Sequence, residues 1–501
     1  MKILLVYPQY PDTFWGFKHA LKFIFKKAAF PPLGLLTVAS MLPLKWERRL
    51  VDLNVSNLND REILWADYVF LSAMAVQRES AKTIIARCSS LGVKIVAGGP
   101  LFTTEYEAFP AIDHFVLNEA EITLPQFLRD LEMNCARRIY TSDQWPDLSL
   151  TPLPQWNLIK PNLYNSMAIQ YSRGCPFDCE FCDIVVLNGR TPRTKSREQM
   201  IAELNALKNR HRKGSVFIVD DNFIGNKNKL KSEILPAIAQ WMQQNKHPFS
   251  LFTEASINLA DDDALIDLMV KANFKVVFIG IETPNAESLT ECGKYQNKNR
   301  DLVASVQKLQ NAGLQVQGGF IVGFDNDPLS IFENQIKFIQ NSGIVTAMVG
   351  LLHAPPGTKL YKRLKTENRI KREFSGNNTD FSTNFVPKMQ MQNLLEGYHN
   401  IISTIYAPRQ YCERVITFLK NYHPVNFSGF RLQFAELCAF IKSIFVIGLN
   451  PKGKRYYWKL MLWTLFKKPR LFHMSVTLAI YGFHFRKIVE QYSKLLVSKS
   501  A

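Results

Sequence analysis

Short apolar runs of strand length alternate with stretches of helical spacing over most of this chain; the alternation restarts once and then stops. In the first segment, Lys2–Tyr7, Tyr68–Ser72 and Val93–Ala97 are nearly continuous in apolar residues, the pattern of strands buried on both faces of a parallel sheet. Arg49–Leu53 and Asp113–Leu117 are shorter candidates, and the spacing of Glu79–Leu91 predicts a helix between two of the strands. Residues 1–150 therefore predict a doubly wound, Rossmann-like α/β sheet. Ligands of such sheets bind beyond the carboxyl ends of the strands, which marks the loops Pro8–Pro11, Ser72–Val76, Gly98–Thr103 and Asn118–Glu121.

Pro152, Pro154 and Pro161 interrupt any helix and mark a linker. A second alternation then fills residues 151–370. Its strand candidates are Met167–Tyr171, Ser215–Val219, Phe249–Thr253, Lys275–Ile279, Leu314–Val322 and Val345–Leu351. Helical patterns at Glu198–Arg210, Lys229–Gln244, Asp262–Ala272, Asn299–Ala312 and Pro328–Asn341 separate them, predicting six parallel strands with helices outside. Residues 371–501 carry only helical runs, at Leu394–Tyr406, Tyr411–Asn421, Gly429–Phe445 and Tyr456–Phe466. The longest uncharged run within residues 371–501, Leu471–Phe485, has 15 residues, short of the ~18 apolar residues a spanning helix needs.

The length of 501 residues agrees with three such domains, and 47% hydrophobic content reads as globular. Met1–Pro8 is too short an apolar run for a signal peptide and reads as a first strand. The net charge of +18 is concentrated at the end: Ile441 to Ala501 holds twelve Lys or Arg against one acid, Glu490. Such a tail expects an anionic surface, membrane or nucleic acid. Tyr456, Tyr457, Trp458, Trp463 and Phe466, interleaved with Lys459, Lys467 and Lys468, suit a helix lying in a bilayer interface, and nucleic acid is the lesser reading.

Of eight cysteines, five are scattered and three stand together as Cys175, Cys179 and Cys182, in C-x3-C-x2-C spacing after the Met167–Tyr171 strand. That is no disulfide framework, and a thiolate cluster fits a reducing cytoplasm. Three soft ligands on one loop can hold three corners of an iron–sulfur cubane. Closed zinc sites want four ligands, and the next histidine, His211, lies beyond a predicted helix. Cys292 reads as a small semi-buried residue.

With Phe181 before its last cysteine, this loop resembles the signature of the radical S-adenosylmethionine superfamily. The resemblance implies a [4Fe-4S] cluster on the three cysteines, S-adenosylmethionine on its open iron, and a partial (β/α)6 barrel around both. It also implies cofactor contacts at the strand ends: Asp220 near the methionyl amine, Glu254 with Ser256, Glu282, and the glycine strand with Gly319 and Gly323 beside the adenine. Ala354–Thr358 looks like the Pro-Gly-Thr turn that leaves the barrel. Upstream, Ser72-Ala-Met74 and Gly98-Gly99 resemble the cobalamin-binding domain of many such proteins. That family's Asp-x-His-x-x-Gly is absent, His19 lying in a basic stretch without it, so cobalamin is expected without a protein histidine ligand.

A finer resemblance is to the hopanoid C-2 methylase group, carried by Pro11–Trp15, Ala29–Leu35, Gly98–Phe102, Val219–Asn226 and Gln317–Phe324. It implies methyl transfer from cobalamin to an unactivated carbon, from which the radical made by reductive cleavage of S-adenosylmethionine has taken a hydrogen. It further implies a lipid-like substrate, a flavodoxin- or ferredoxin-class electron donor, and contact of the basic tail with the inner face of a membrane. The rival readings are a different radical reaction, such as carbon–carbon bond or ring formation, and a non-catalytic iron–sulfur redox sensor. A tRNA methylthiotransferase is disfavoured, since only Cys88 and Cys135 precede the linker where that group carries a second cluster.

Overall fold

Two six-stranded parallel sheets, one per alternating segment, carry the chain's chemistry on their carboxyl edges. The computed structural model describes residues 1–211, 213–377, 379–424 and 434–500. Strands β1 (Lys2–Tyr7), β2 (Glu47–Asp52), β3 (Tyr68–Ser72), β4 (Lys94–Gly98), β5 (His114–Val116) and β6 (Ile139–Tyr140) form the first sheet, in the order β2-β1-β3-β4-β5-β6. Ile3 to Val6 are fully buried, because helices cover both faces of the sheet. Strand order reverses between β1 and β3, which makes their carboxyl ends the switch point where a ligand crevice forms. The sixth strand, β6, is unexpected: two residues are too few to show periodicity.

The second sheet joins β7 (Ser166–Ile169), β10 (Gly214–Ile218), β11 (Phe249–Ala255), β12 (Phe274–Glu282), β13 (Gln315–Val322) and β14 (Ala347–Leu351). Each crossover advances by one strand, in the order β14-β13-β12-β11-β10-β7, so the wall curves into an open half-barrel with its helices outside. The cysteine loop is the tip of a separate antiparallel pair, β8 (Ser172–Arg173) with β9 (Arg193–Thr194). Thus the expected architecture is observed in both α/β domains.

The rest is helical, and its apolar faces merge with the barrel core. Helix Met391–Ile405 packs along the β14 edge, where Tyr398 Oη donates to the Val349 carbonyl at 3.1 Å. Fully buried Arg414 fastens helix Pro408–Asn421 to its neighbours by donating to the Ile405 carbonyl at 2.7 Å, the Gln340 side-chain carbonyl at 2.5 Å and the Val345 carbonyl just before β14 at 3.3 Å. The run read as Gly429–Phe445 is described from Phe434 onward, as helix Phe434–Ser443 and a π-helical turn Ile444–Gly448; residues 429–433 lie outside the described residues. Leu471–Phe485 is the first half of a longer helix, Phe472–Ser500, because the charged residues after Phe485 keep helical spacing. No helix among the described residues is long and apolar enough to cross a membrane.

Candidate active site

The cysteine hairpin is set by backbone geometry on one side and by buried charge on the other. Gly174 takes φ +94°, and a Cβ there would lie 2.8 Å from the Thr191 carbonyl, so the strand can turn into the loop only with glycine. Cys175 N donates to Gly189 O at 3.2 Å across the hairpin, and Glu180 N to the carbonyl of buried Cys292 at 2.9 Å. All three thiols are partly buried. Burial pushes the Cys182 thiol well up, with the charges of Asp183, Cys179 and Cys175 adding to it. Asn222 reaches the first of these thiols, its Nδ2 lying 3.8 Å from Cys175 Sγ. No group of three His, Cys, Asp or Glu side chains among the described residues is arranged to grip a single ion. A cubane does not require one, since each thiolate takes a different iron, and the donor set fits a [4Fe-4S] cluster with one open corner.

The barrel residues expected to meet S-adenosylmethionine take distinct positions. Asp220 is buried under the hairpin and accepts from Tyr171 N and Ser172 N at 2.8 Å and from Ser172 Oγ at 2.6 Å. Burial holds its pKa up at about 7. With three acceptor positions engaged, this carboxylate braces the cysteine loop. Glu282 stands at a β-bulge, where the β12–β13 register slips between Gly280 and Glu282 and the glutamate takes φ 62°. Asn297 Nδ2 pins the bulge by donating to the Gly280 and Ile281 carbonyls at 3.0 and 2.9 Å. The bulge turns Glu282 onto the buried ammonium of Lys294. Burial alone would lower the Lys294 pKa, but Glu282 and Cys179 hold it above the ordinary lysine value.

Glu254 differs from both. It meets no hydrogen-bond donor among the described residues, and burial, reinforced by the Asp221 charge, pushes its pKa to about 8. Its carboxyl lines the main cavity at the end of β11, where an ammonium or ribose hydroxyl would satisfy it. Ser256 sits just beyond, donating to Asn222 Oδ1 at 3.3 Å. Gly319 belongs to the same wall: a Cβ there would stand 2.8 Å from the Phe278 ring. Gly323 does not; it takes φ +106° in the turn after β13, its N donates to Asp327 Oδ2 at 2.8 Å, and its Cβ position faces Leu394.

In the first domain the structure brings Ser72, Gly98 and Gly99 together. Ser72 and Gly98 are paired across β3 and β4, and Gly99 turns with φ +91°. A Cβ on Gly99 would lie 2.6 Å from Ser72 Oγ, and one on Gly98 2.7 Å from the Val116 carbonyl. The glycines thus let three backbone segments close on each other at the edge of the ligand crevice. Gly99→Ala should cost more than about 1 kcal/mol and release cobalamin on gel filtration, because alanine strains at this φ and collides with Ser72. His19 lies away from the crevice, its ring 5.6 Å from that of His484 in the C-terminal helix.

One element escaped sequence reading. Arg173 of β8 donates to Glu119 at 2.5 Å and to both oxygens of Glu121 at 2.8 and 3.0 Å, and Arg193 of β9 donates to Glu119 at 2.6 and 3.0 Å. All four side chains are largely buried. Glu119 immediately precedes, and Glu121 lies in the first turn of, helix Ala120–Glu132 after β5 of the first domain, so this clamp ties the cluster hairpin to that domain's carboxyl edge.

Between the barrel wall, the segment Trp15–Phe30 and the C-terminal helices lies a cavity of about 1440 Å³. Its lining runs from Glu254 at the top of β11 to Lys213 and Lys275 near the amino ends of β10 and β12. Phe217 and Phe252 stack at 4.8 Å on the barrel side, while Phe30 packs 5.2 Å from Phe217 and Trp15 5.3 Å from Phe278. Leu437, Phe440 and Phe472 close it from the C-terminal helices.

The chain matches the radical SAM superfamily over residues 169–339, the B12 binding domain over residues 27–128, and a domain of unknown function, DUF4070, over residues 358–496. It is 39% identical to an uncharacterized methyltransferase of Synechocystis sp., over 98% of this chain and 93% of that protein. It is 35% identical to the hopanoid C-2 methylase of Rhodopseudomonas palustris, over 74% and 71% of the two chains. Its fold follows the cobalamin-dependent S-adenosylmethionine radical enzyme OxsB, with TM-score 0.61 at 13% identity over 99% of this chain and 80% of that one. It also follows the radical S-adenosylmethionine methyltransferase TsrM of Kitasatospora setae, with TM-score 0.60 at 11% identity over 99% of both. The cysteine loop, the glycine-closed crevice of the first sheet and the clamp between them thus have a family: the chain is a B12-dependent radical S-adenosylmethionine methyltransferase, with [4Fe-4S], S-adenosylmethionine and cobalamin as its cofactors.

Proposed function

We propose that this enzyme methylates an unactivated carbon of an extended, mostly apolar lipid of the hopanoid class. The observation that carries the reading is the phenylalanine-walled cavity, whose volume of about 1440 Å³ exceeds the usual range for small-ligand pockets of ~300–1,000 Å³. It accommodates a polycyclic skeleton and presents one carboxyl, Glu254, at the end toward the cofactor-bearing strand edges. The 35% identical hopanoid C-2 methylase supports the substrate class.

When bound, the cofactors supply the radical and methyl-transfer chemistry; the protein supplies binding, orientation and a dry site. Phe217, Phe252 and Phe278 offer rings to a saturated skeleton and no donors to water. Trp15 and Phe30 cover that wall from the N-terminal segment. In this reading Glu254 takes the ammonium of S-adenosylmethionine, supported by its buried, unbonded carboxyl, and Asp220 keeps the cysteine hairpin at the barrel edge.

Anaerobic reconstitution with iron, sulfide and cobalamin, followed by dithionite and S-adenosylmethionine, tests the reading. With a saturated pentacyclic hopanoid in detergent we expect 5′-deoxyadenosine together with a lipid product heavier by one CH2. Formation of 5′-deoxyadenosine with no methylated product from hopanoid or other polycyclic lipids would sink the lipid assignment.

A further inference from the structure

The C-terminal helices turn apolar rows outward. Along helix Phe434–Ser443 and the π-helical turn Ile444–Gly448 that continues it, Leu437, Ile441, Phe445 and Leu449 recur at four-residue spacing and are all exposed, Phe445 by 66%. On helix Lys454–Lys467 the exposed row is Trp458, Leu462, Leu465 and Phe466, the last 77% exposed. These are helical spacings, so each helix has two apolar stripes, one facing the core and one facing out. The rows meet where Trp458 Nε1 donates to the Gly448 carbonyl at 3.0 Å. Exposed Phe25 extends the patch from the N-terminal segment, with the Lys442 ammonium 3.4 Å from its ring centre.

Sequence reading expected Tyr456, Tyr457 and Trp463 to point outward. The structure corrects this: Tyr457 is buried against Ser443, while Tyr456 and Trp463 pack on the core, because this side of the helix covers helices Pro408–Asn421 and Phe472–Ser500. The outward side holds Trp458 and Phe466 instead.

Exposed Lys452, Lys454, Arg455, Lys459 and Lys467 surround these rows, and no acid occurs between Glu436 and Glu490. A patch this apolar on a free surface marks an interaction site, and its uniform positive rim excludes a basic partner. Two observations connect it to the catalytic cavity. Leu437 is 44% exposed and also lines the cavity, and the exposed Pro469 and Arg470, next to the second row, line it too.

We propose that this face docks on an anionic phospholipid bilayer and that the cavity fills from the bilayer through the Leu437–Pro469 margin. The apolar rows enter the acyl boundary while the lysines meet headgroup phosphates, which is how interfacial helices bind. The inference rests on the lipid reading for its purpose but not for its test. It also assigns a task to the C-terminal domain: it joins membrane to cavity.

Flotation of the reconstituted holoenzyme with vesicles is the test. The enzyme should float with phosphatidylcholine–phosphatidylglycerol vesicles, less with phosphatidylcholine alone, and less in high salt. The pair Phe445→Ser and Phe466→Ser should weaken partitioning roughly tenfold on both vesicles. The trio Lys452→Gln, Lys459→Gln and Lys467→Gln should weaken it at least tenfold on the anionic vesicles only. Neither set touches the cavity, so cobalamin content and 5′-deoxyadenosine formation should stay at wild-type level. An enzyme that stays off both vesicles, both variant sets floating like wild type, capture of RNA in place of vesicles, or burial of the face in a dimer would each overturn the proposal. Flotation uses no substrate: failed flotation with lipid methylation intact sinks docking alone, and the converse sinks the lipid reading alone.

Discussion

Arg173→Met should destabilise the protein by about 3–5 kcal/mol, the usual cost of leaving buried charge without its partner. Arg173 is the cation between Glu119 and Glu121, and its side chain is only 14% exposed. Burial by itself would raise the Glu121 pKa; the Arg173 charge and its hydrogen bonds bring it below the ordinary value, so at neutral pH the pair is ionised. Methionine keeps much of the stem volume and removes the charge. Arg193 still meets Glu119, so Glu121 carries the larger share of the loss. Urea unfolding should therefore show partial recovery in the double variant Arg173→Met, Glu121→Gln. The clamp also joins the hairpin that would hold the cluster to the edge that would hold cobalamin, because Arg173 lies two residues before Cys175 and Glu119 lies on the first domain's ligand edge. Loosening it should leave 5′-deoxyadenosine formation comparatively intact while methylated product falls further. If both products fall only in proportion to the folded fraction, the clamp is purely structural.

The elements that sequence shows well are those whose burial is one-dimensional. Lys2–Tyr7 and Lys94–Gly98 are buried along both faces of their sheet, so a nearly continuous apolar run announces them. The cysteines were legible because a cluster needs three thiolates at short spacing in one loop. By contrast β6, β8 and β9 are two residues each, and what holds them is pairing that no local pattern records. The Arg173–Glu121 pair is 52 residues apart, and as single letters both are ordinary surface residues. The basic stretch around His19 is not one helix: Phe17 and Phe25 take left-handed φ of 48° and 58° and break it into a lid over the cavity. Its aromatic side chains pay for that backbone by packing between the barrel and the last helix, a context that exists only after folding.

Glu254→Gln should move two observables in opposite directions. In the cofactor-free chain burial lifts the Glu254 pKa from the ordinary 4.5 to about 8. A carboxyl whose folded pKa is raised binds its proton more tightly folded than unfolded, so its contribution to stability is whole below pH 4.5 and lost as pH rises through about 8. Glutamine has no proton to lose. At pH 4 the variant should unfold like wild type, and above pH 8 it should be more stable, by a few kcal/mol at about 1.4 kcal/mol per pKa unit. Asp220 and Asp221, raised to about 7 and 6, keep part of the slope in both proteins. Function should change the other way. If Glu254 meets the ammonium of S-adenosylmethionine, the amide forfeits a charge-assisted bond of ~1.5–3 kcal/mol, roughly a ten- to hundredfold weaker affinity. Thermal melts across pH on the empty chain, with calorimetric S-adenosylmethionine binding on the cluster-loaded one, read both. An unchanged affinity would remove Glu254 from the cofactor site, and a variant that unfolds with the wild-type pH slope would show that the lost proton belongs elsewhere.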